Sequence, residues 1–266
     1  MKHSQPRGLS RRRVEQLLSE TKYDRYAGSR VDVLSNHFLG HPYKPNPLIG
    51  SADTAEVFTA SLDGFDCVTY IETILALARA STVDDFIEWL RKIRYERGHI
   101  QWEQRNHYMT FWIRNNVREG IIRRISMPTV PILRRERVLN VVPGLAAQRT
   151  RVKCVPKRAV PRLAAHLQSG DLIFFVSTRK NLDVFHAGII VRDGKRVLMR
   201  HASRSQGFVV EQELREFLKA NRMAGVIVVR PEGYSASRSA TKMKRLSMRR
   251  IAFSHRGDGA KRRSGM

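Results

Sequence analysis

The chain has 266 residues, and its 49 lysine and arginine residues outnumber its 24 aspartate and glutamate residues, which gives a formal charge of +25. Hydrophobic residues make up 42% and aromatic residues 8%, which supplies a sizeable core and excludes a wholly disordered or low-complexity chain. A chain of this length forms one large domain or two small ones, and it needs neither disulfides nor a structural metal to fold.

Two helices are predicted near the N-terminus, over residues 14–26 and 31–39, because apolar residues recur there at three- and four-residue spacing. Residues 40–47 then hold three prolines, which forbid a helix and favour an extended path. No transmembrane span is visible, and the basic N-terminus lacks the apolar core of a signal peptide. The sequence as written predicts a cytoplasmic protein, or a periplasmic or exported one if the start is truncated or another route serves it.

The strongest helical pattern follows the turn at Asp63-Gly64. Its apolar face is formed by residues at three- and four-residue spacing, namely Val68, Ile71, Ile74, Leu75 and Ala78. Asp66 stands where a helix N-cap would stand. Two further helices are predicted over residues 84–93 and 107–117.

The second half of the chain changes to the period of two that is typical of strands. Short strands are predicted over residues 172–176, 184–191, 197–202, 208–210 and 226–229, with a short helix over 214–218. The basic run at 149–162 contains two prolines and is predicted to be a surface loop. Helices followed by about five antiparallel strands predict an α+β fold.

Cys67 is the first candidate for chemistry, because it stands in the first turn of the predicted buried helix. Unpaired backbone N–H groups and the helix dipole favour a thiolate there, and the thiolate is the nucleophilic form of cysteine. The alternative is a small buried core residue, as most lone cysteines are. The other cysteine, Cys154, forms no CxxC pair with it, so zinc ribbons and redox dithiols are unsupported.

A cysteine nucleophile needs a base, and histidine is the usual one. His186 and His201 lie on two predicted strands joined by a turn at Asp193-Gly194. With the turn centred there, His186 lies opposite residue 200 or 201, so the two rings are expected to be cross-strand neighbours. One ring would act as the base and the other would orient it. The alternative, a metal site of two histidines and Cys67, lacks a clear third ligand with local spacing.

These residues lie in a series of blocks that resembles the N-acetylmuramoyl-L-alanine amidase-like family, which we group with the NlpC-type, papain-like cysteine hydrolases. The blocks occur in the family's order between residues 39 and 203. They are Leu39-Gly-His-Pro-Tyr43, Phe65-Asp-Cys-Val-Thr-Tyr-Ile-Glu-Thr-Ile-Leu-Ala-Leu-Ala78, Ile93-Arg-Tyr-Glu-Arg-Gly98, Arg105-Asn-His-Tyr108, Gly170-Asp-Leu-Ile173, Leu182-Asp-Val-Phe-His-Ala-Gly188 and His201-Ala-Ser203. Each block alone is weak evidence, and their combination is specific.

The resemblance implies a role for each matching residue. Cys67 would be the nucleophile, His186 the general base and His201 the residue that orients it. The expected substrate-binding residues are Tyr43, Asp66, Arg105, His107 and Asp183, and Tyr43 would also help to stabilise the oxyanion. For Arg105, His107 and Asp183, a salt bridge or a capped helix end is the structural alternative. The resemblance implies no metal and no cofactor.

The implied fold is papain-like, with the cysteine helix packed on the C-terminal sheet, and the implied substrate is peptidoglycan or a muropeptide. The expected reaction cleaves the amide bond between N-acetylmuramate and L-alanine through a thioester. The alternatives are a stem-peptide endopeptidase or an acyltransferase on the same scaffold. A third is a basic nucleic-acid-binding protein with an inactive hydrolase fold.

The sequence divides into a basic N-terminal helical extension (1–30), the papain-like domain (31–234) and a basic tail (235–266). The tail has ten lysine and arginine residues and one acidic residue, and it lacks apolar periodicity. We expect it to be disordered, and an anionic polymer or nucleic acid is its candidate partner.

Overall fold

The structure is a computed structural model that describes residues 6–22, 26–125 and 129–233. The basic tail lies outside the described residues, and so do the disorder and the anionic partner expected for it. None of the helices in the described ranges is long and apolar enough to cross a membrane.

Six α-helices occur in the described residues. They are α1 (Arg11–Glu20), α2 (Ala27–His37), α3 (Cys67–Arg79), α4 (Val83–Arg94), α5 (Met109–Arg118) and α6 (Leu214–Ala220). Helix α1 packs against α3 and α4. Its buried residues Val14 and Leu17 belong to the same core as α3. Short 3-10 helices occupy Glu96–Gly98, Trp102–Gln104 and Lys157–Leu163.

In the part of the chain that the structure describes, the main sheet has eight strands and all its pairs are antiparallel. The strands are β3 (Ile122–Arg124), β4 (Leu133–Leu139), β5 (Gln148–Pro156), β6 (Leu172–Val176), β7 (Val184–Asp193), β8 (Arg196–Ser203), β9 (Phe208–Glu213) and β10 (Gly225–Pro231). Their order is β4-β5-β10-β6-β7-β8-β9, and β3 also pairs with β10. A separate hairpin is formed by β1 (Ile49–Ser51) and β2 (Thr54–Val57). The predicted α+β class with an antiparallel sheet is confirmed.

The prediction of about five strands was wrong, because the strands β3, β4 and β5 were missed. Most of the basic run at 149–162, predicted as a loop, is strand β5. In it the exposed Arg151 and Lys153 alternate with the buried Val152 and Cys154. Lysine and arginine on the solvent face hid the period of two, and Pro156 ends the strand rather than interrupting it.

Side chains alternate between the two faces of the sheet, and each face has its own core. On one face, Phe174, Ala187 and Ile189 belong to the core that also contains α3. The back face carries a second core, in which Phe175, Ile190, Met199 and the α6 residue Phe217 pack together. The sheet therefore separates the cysteine helix from α6.

Helix α3 is fixed at its first turn by a capping box. The Asp66 carboxylate accepts hydrogen bonds from the backbone N–H groups of Val68 (3.0 Å) and Thr69 (2.7 Å). The Thr69 hydroxyl in turn accepts one from the Asp66 N–H (3.0 Å). Such a box satisfies the N–H groups that a helix start leaves unpaired. The predicted N-cap is confirmed, and it sets where Cys67 stands.

A buried ion pair ties α3 to its neighbours. Arg94 at the end of α4 donates to Glu72 on α3 (2.8 Å), and both side chains are almost completely buried. The indole N–H of Trp112 on α5 donates to the same carboxylate (3.1 Å). Residues of α3, α4 and α5 therefore meet at the Glu72 carboxylate, and these contacts orient α3.

Replacing Arg94 by methionine is expected to lower the free energy of unfolding by about 3–5 kcal/mol, because it leaves the Glu72 carboxylate buried without its cation. Urea unfolding measures the loss. Arg118→Met is the matched control, since Arg118 pairs with Glu96 at the surface. That change should cost at most about 1 kcal/mol. Equal losses in the two variants would contradict the role given to the buried pair.

Candidate active site

Cys67 is the first residue of α3, and the residue as a whole is half-buried. Burial of the sulfur raises the pKa of the thiol to about 12, and the nearby Asp66 carboxylate adds to this. Hydrogen bonds with the backbone of Ala187, Cys67 and Val68 act in the opposite direction. We expected the helix start to favour the thiolate. In the protein without substrate, burial outweighs that effect, so the sulfur is a thiol.

His186 and His201 form a hydrogen-bonded pair. Nε2 of His186 lies 2.7 Å from Nδ1 of His201, and the ring planes are nearly perpendicular. Burial, and secondly the neighbouring His201, lowers the pKa of His186 to about 3. Burial also lowers the pKa of His201 to about 4, although a hydrogen bond to the backbone of Ala202 acts to raise it. Both imidazoles are therefore neutral at neutral pH.

The register between β7 and β8 differs from the predicted one by two residues. Asp193 pairs with Arg196 and Ile189 with Arg200, so the turn is centred on Gly194 and Lys195. This register puts His201 opposite residue 188 rather than 186. His186 and His201 are therefore diagonal neighbours, and Gly188 is the residue opposite His201. A side chain at position 188 would be crowded, because an added Cβ would lie only 2.8 Å from Met199.

The histidine pair packs against two aromatic residues of the second core. The ring of Phe217 stacks on His186 with 5.4 Å between centroids, and it meets His201 at 5.5 Å. Phe175 stacks on His186 from β6 at 6.2 Å. These apolar rings exclude water, which is the cause of the lowered histidine pKa values. Phe217 was not predicted, since no local pattern relates a residue of α6 to strands β7 and β8.

Tyr43 lies beside the nucleophile and is held by its backbone. Its N–H donates to Gly207 O (2.7 Å), and the N–H of Lys44 donates to Phe65 O (2.9 Å). Burial raises the pKa of the Tyr43 hydroxyl, and the neighbouring Cys67 and Asp66 side chains raise it further, whereas Arg204 lowers it. Arg204, an exposed residue of the β8–β9 turn, was not predicted as a site residue.

The other predicted substrate-binding residues are engaged in structural contacts. Asp66 caps α3, as described above. Asp183 is buried and accepts hydrogen bonds from the N–H groups of Thr110 (2.6 Å) and Val184 (2.7 Å). It thereby joins the start of α5 to the start of β7.

Arg105 and His107 line a small polar cavity beside α5. Arg105 pairs with Glu56 (3.4 Å) and donates to Gly50 O (3.2 Å). His107 contacts Trp102 O through Nε2 (2.7 Å). The structure thus brings Tyr43 and Asp66 to Cys67, and it places Arg105 and His107 in this second location. Within the described ranges, no group of three or more histidine, cysteine or acidic residues could hold a metal ion.

The lowered pKa values of the two histidines predict that the stability of the fold depends on pH. An unfolded histidine titrates near 6.5, whereas the folded values are about 3 and 4. The unfolded chain therefore binds more protons at intermediate pH, so the free energy of unfolding falls as the pH is lowered from about 6.5 towards 4. Thermal unfolding at several pH values should show a shallower fall for the double variant His186→Gln/His201→Gln. The exposed His99→Gln is the control, and an unchanged slope in the double variant would contradict the prediction.

Comparisons with known proteins agree with this fold. A family model described as N-acetylmuramoyl-L-alanine amidase-like matches residues 33–226. A crystal structure of an N-acetylmuramoyl-L-alanine amidase from Bacteroides uniformis has a TM-score of 0.69 at 26% identity, covering 77% of this chain and 98% of that chain. Protein LPG0564 from Legionella pneumophila has a TM-score of 0.72 at 19% identity, covering 84% and 94%, which is a likeness of fold. A search of curated proteins finds no match.

The family model covers well over half of the chain, and the resemblance drawn from the sequence is confirmed. The chain belongs to the N-acetylmuramoyl-L-alanine amidase-like family.

Proposed function

We propose that the protein is a papain-like cysteine amidase that cleaves the amide bond between N-acetylmuramate and L-alanine in peptidoglycan fragments. Family membership supports hydrolysis of peptidoglycan amides. The observation that carries the cysteine mechanism is the packing of α3 on β7 and β8, the strands that bear His186 and His201, with the backbone of Ala187 near enough to lower the pKa of the Cys67 thiol. It joins the start of the buried helix to the strand that bears the proposed base.

The first step is a proton transfer, since both the thiol and the imidazole are neutral at rest. Nε2 of His186 is engaged with His201, so Nδ1 is the nitrogen that must face the thiol. Substrate binding displaces water and brings the carbonyl to the sulfur. His186 then takes the thiol proton as the sulfur attacks, which makes the nucleophile only when the substrate is present.

Attack on the carbonyl carbon forms a tetrahedral oxyanion. The backbone N–H of Cys67 at the start of α3 is a candidate donor to it, because the helix start leaves this group without an intrahelical partner. The Tyr43 hydroxyl is a second candidate donor, since its pKa is raised and it keeps its proton at neutral pH. A backbone hydrogen bond from the Phe65 N–H to Pro42 O joins the two segments that carry these groups.

The imidazolium of His186 next protonates the leaving amine of L-alanine, and the acyl group stays on Cys67 as a thioester. Water, deprotonated by His186, attacks this thioester and restores the thiol. His201 holds the His186 ring in place throughout. The His201 ring is itself confined by Phe217 and by burial, and its Nε2 has no hydrogen-bond partner among the described residues.

Mass spectrometry of a defined muropeptide tests the specificity. Release of the intact stem peptide together with the muramyl sugar is the expected result. A cut inside the stem peptide would contradict the amidase specificity and favour the endopeptidase alternative. A product carrying an added acyl acceptor in place of water would favour the acyltransferase. If wild-type protein leaves the muropeptide intact, the proposed substrate is wrong.

A further inference from the structure

A second cavity lies on the back face of the sheet, between α6, the 3-10 helix Lys157–Leu163 and the start of β8. Its volume is about 840 Å³, within the range of about 300–1,000 Å³ typical of small-molecule sites. The floor is apolar and is formed by Val160, Leu167, Val197, Leu214 and Leu218. The proposed mechanism makes no use of this cavity.

The rim of the cavity is strongly basic. Five cationic residues and one acidic residue, Glu213, line it. Three of the cations are engaged: Lys157 donates to Asn221 O, Arg196 pairs with Glu213, and Lys219 pairs with Glu216. The remaining two, Lys195 and Arg215, are exposed and have no ion-pair partner in the described part of the chain. They line the same cavity as the apolar floor. The cavity therefore offers positive charge to one anionic group and apolar surface to the rest of a ligand.

We propose that this cavity binds a monomeric, single-chain anionic amphiphile. Its aliphatic chain would lie on the apolar floor, and its carboxylate or phosphate would lie between Lys195 and Arg215. The charge of the rim argues against the chain's own residues 235–266 as the occupant, because that segment carries ten basic residues and one acidic residue. A cationic ligand would meet the same repulsion.

The cavity is connected to the histidine pair through α6. Leu214 and Leu218 line the cavity, and Phe217 of the same helix contacts both histidine rings. Strand β8 gives a second connection, since Val197 of the floor lies four residues before His201, about 13 Å along the strand. A ligand that moves α6 therefore moves the ring that packs on His186. Only the effect of this movement on turnover rests on the proposed function.

Calorimetric titration with dodecanoate, kept below its micelle concentration, tests the site. We expect one molecule to bind per chain, and the charge reversal Lys195→Glu/Arg215→Glu should weaken binding about tenfold or more. The control Arg134→Glu/Lys153→Glu makes the same charge change on an exposed cross-strand pair of β4 and β5, and should leave binding unchanged. Equal binding of dodecyltrimethylammonium, equal weakening by the control, or binding only to vesicles of anionic phospholipid would overturn the proposal.

Nitrogen-15 NMR of the histidine rings tests the connection. Saturating dodecanoate should shift the ring signals of His186 and His201, and leave that of the exposed His99 in place. Phe217→Leu should retain binding and reduce both shifts. Binding without ring shifts would overturn the connection. Both measurements need no substrate and can be made on Cys67→Ala, so their failure is distinguishable from failure of the amidase proposal.

Discussion

Cys67→Ala is expected to reduce amide hydrolysis by about 10⁴-fold or more, because the thioester cannot form without the sulfur. The fold should be retained. Cys67 is half-buried at the first position of α3, and the capping contacts of Asp66 involve Val68 and Thr69 rather than the thiol. Initial rates on the defined muropeptide, together with the melting temperature, separate these two effects.

Cys154→Ala is the matched control. Cys154 is buried on β5, and its sulfur lies against Gly225 of β10, where an added Cβ would come within 2.9 Å. Its loss should cost about 1 kcal/mol of stability through a small cavity and leave the rate unchanged. If Cys67→Ala instead unfolded the protein at a much lower temperature and kept its activity per folded molecule, Cys67 would be the core residue that the sequence left as an alternative.

The elements that carry this site could be predicted because their signals are local. Asp66 and the apolar spacing from Val68 to Ala78 mark the start and buried face of α3 within one segment of sequence. Strand β6 is a continuous apolar run and β7 is largely apolar, because both faces of the sheet are covered, and β8 has a short apolar run directly after its first residue. The capping box and these runs do not depend on distant residues.

What was missed depends on contacts between distant segments. Strand β5 alternates correctly, but its outward residues are basic and the pattern resembles a solvated loop. The register of β7 on β8 depends on which two residues form the turn, and moving the turn by one residue moves the pairing by two. Sequence spacing cannot show that burial raises the pKa of Cys67, because that effect depends on what packs around the sulfur.

The two histidines are expected to differ in their contribution to turnover. His186→Ala should lower the rate by about 10³–10⁴-fold, near the upper end of the range for a lost general acid and base. His201→Ala should lower it by about 10²-fold, because the base remains but its ring loses the 2.7 Å hydrogen bond that orients it. Steady-state rates of both variants on the same muropeptide measure the difference.

Rescue distinguishes a positioning role for His201 from a purely structural one. The side chain of His201→Asn can still hydrogen-bond to Nε2 of His186, so this variant should recover part of the rate that His201→Ala loses. A merely structural role would be restored equally by an apolar residue such as leucine, which fills the space beside Phe217 and has no polar atom. Equal losses for His186→Ala and His201→Ala, or a larger loss for His201→Ala, would reverse the assignment. The proton would then pass through His201. Nε2 of that ring, which is buried and has no partner among the described residues, would be the atom that substrate binding must reach.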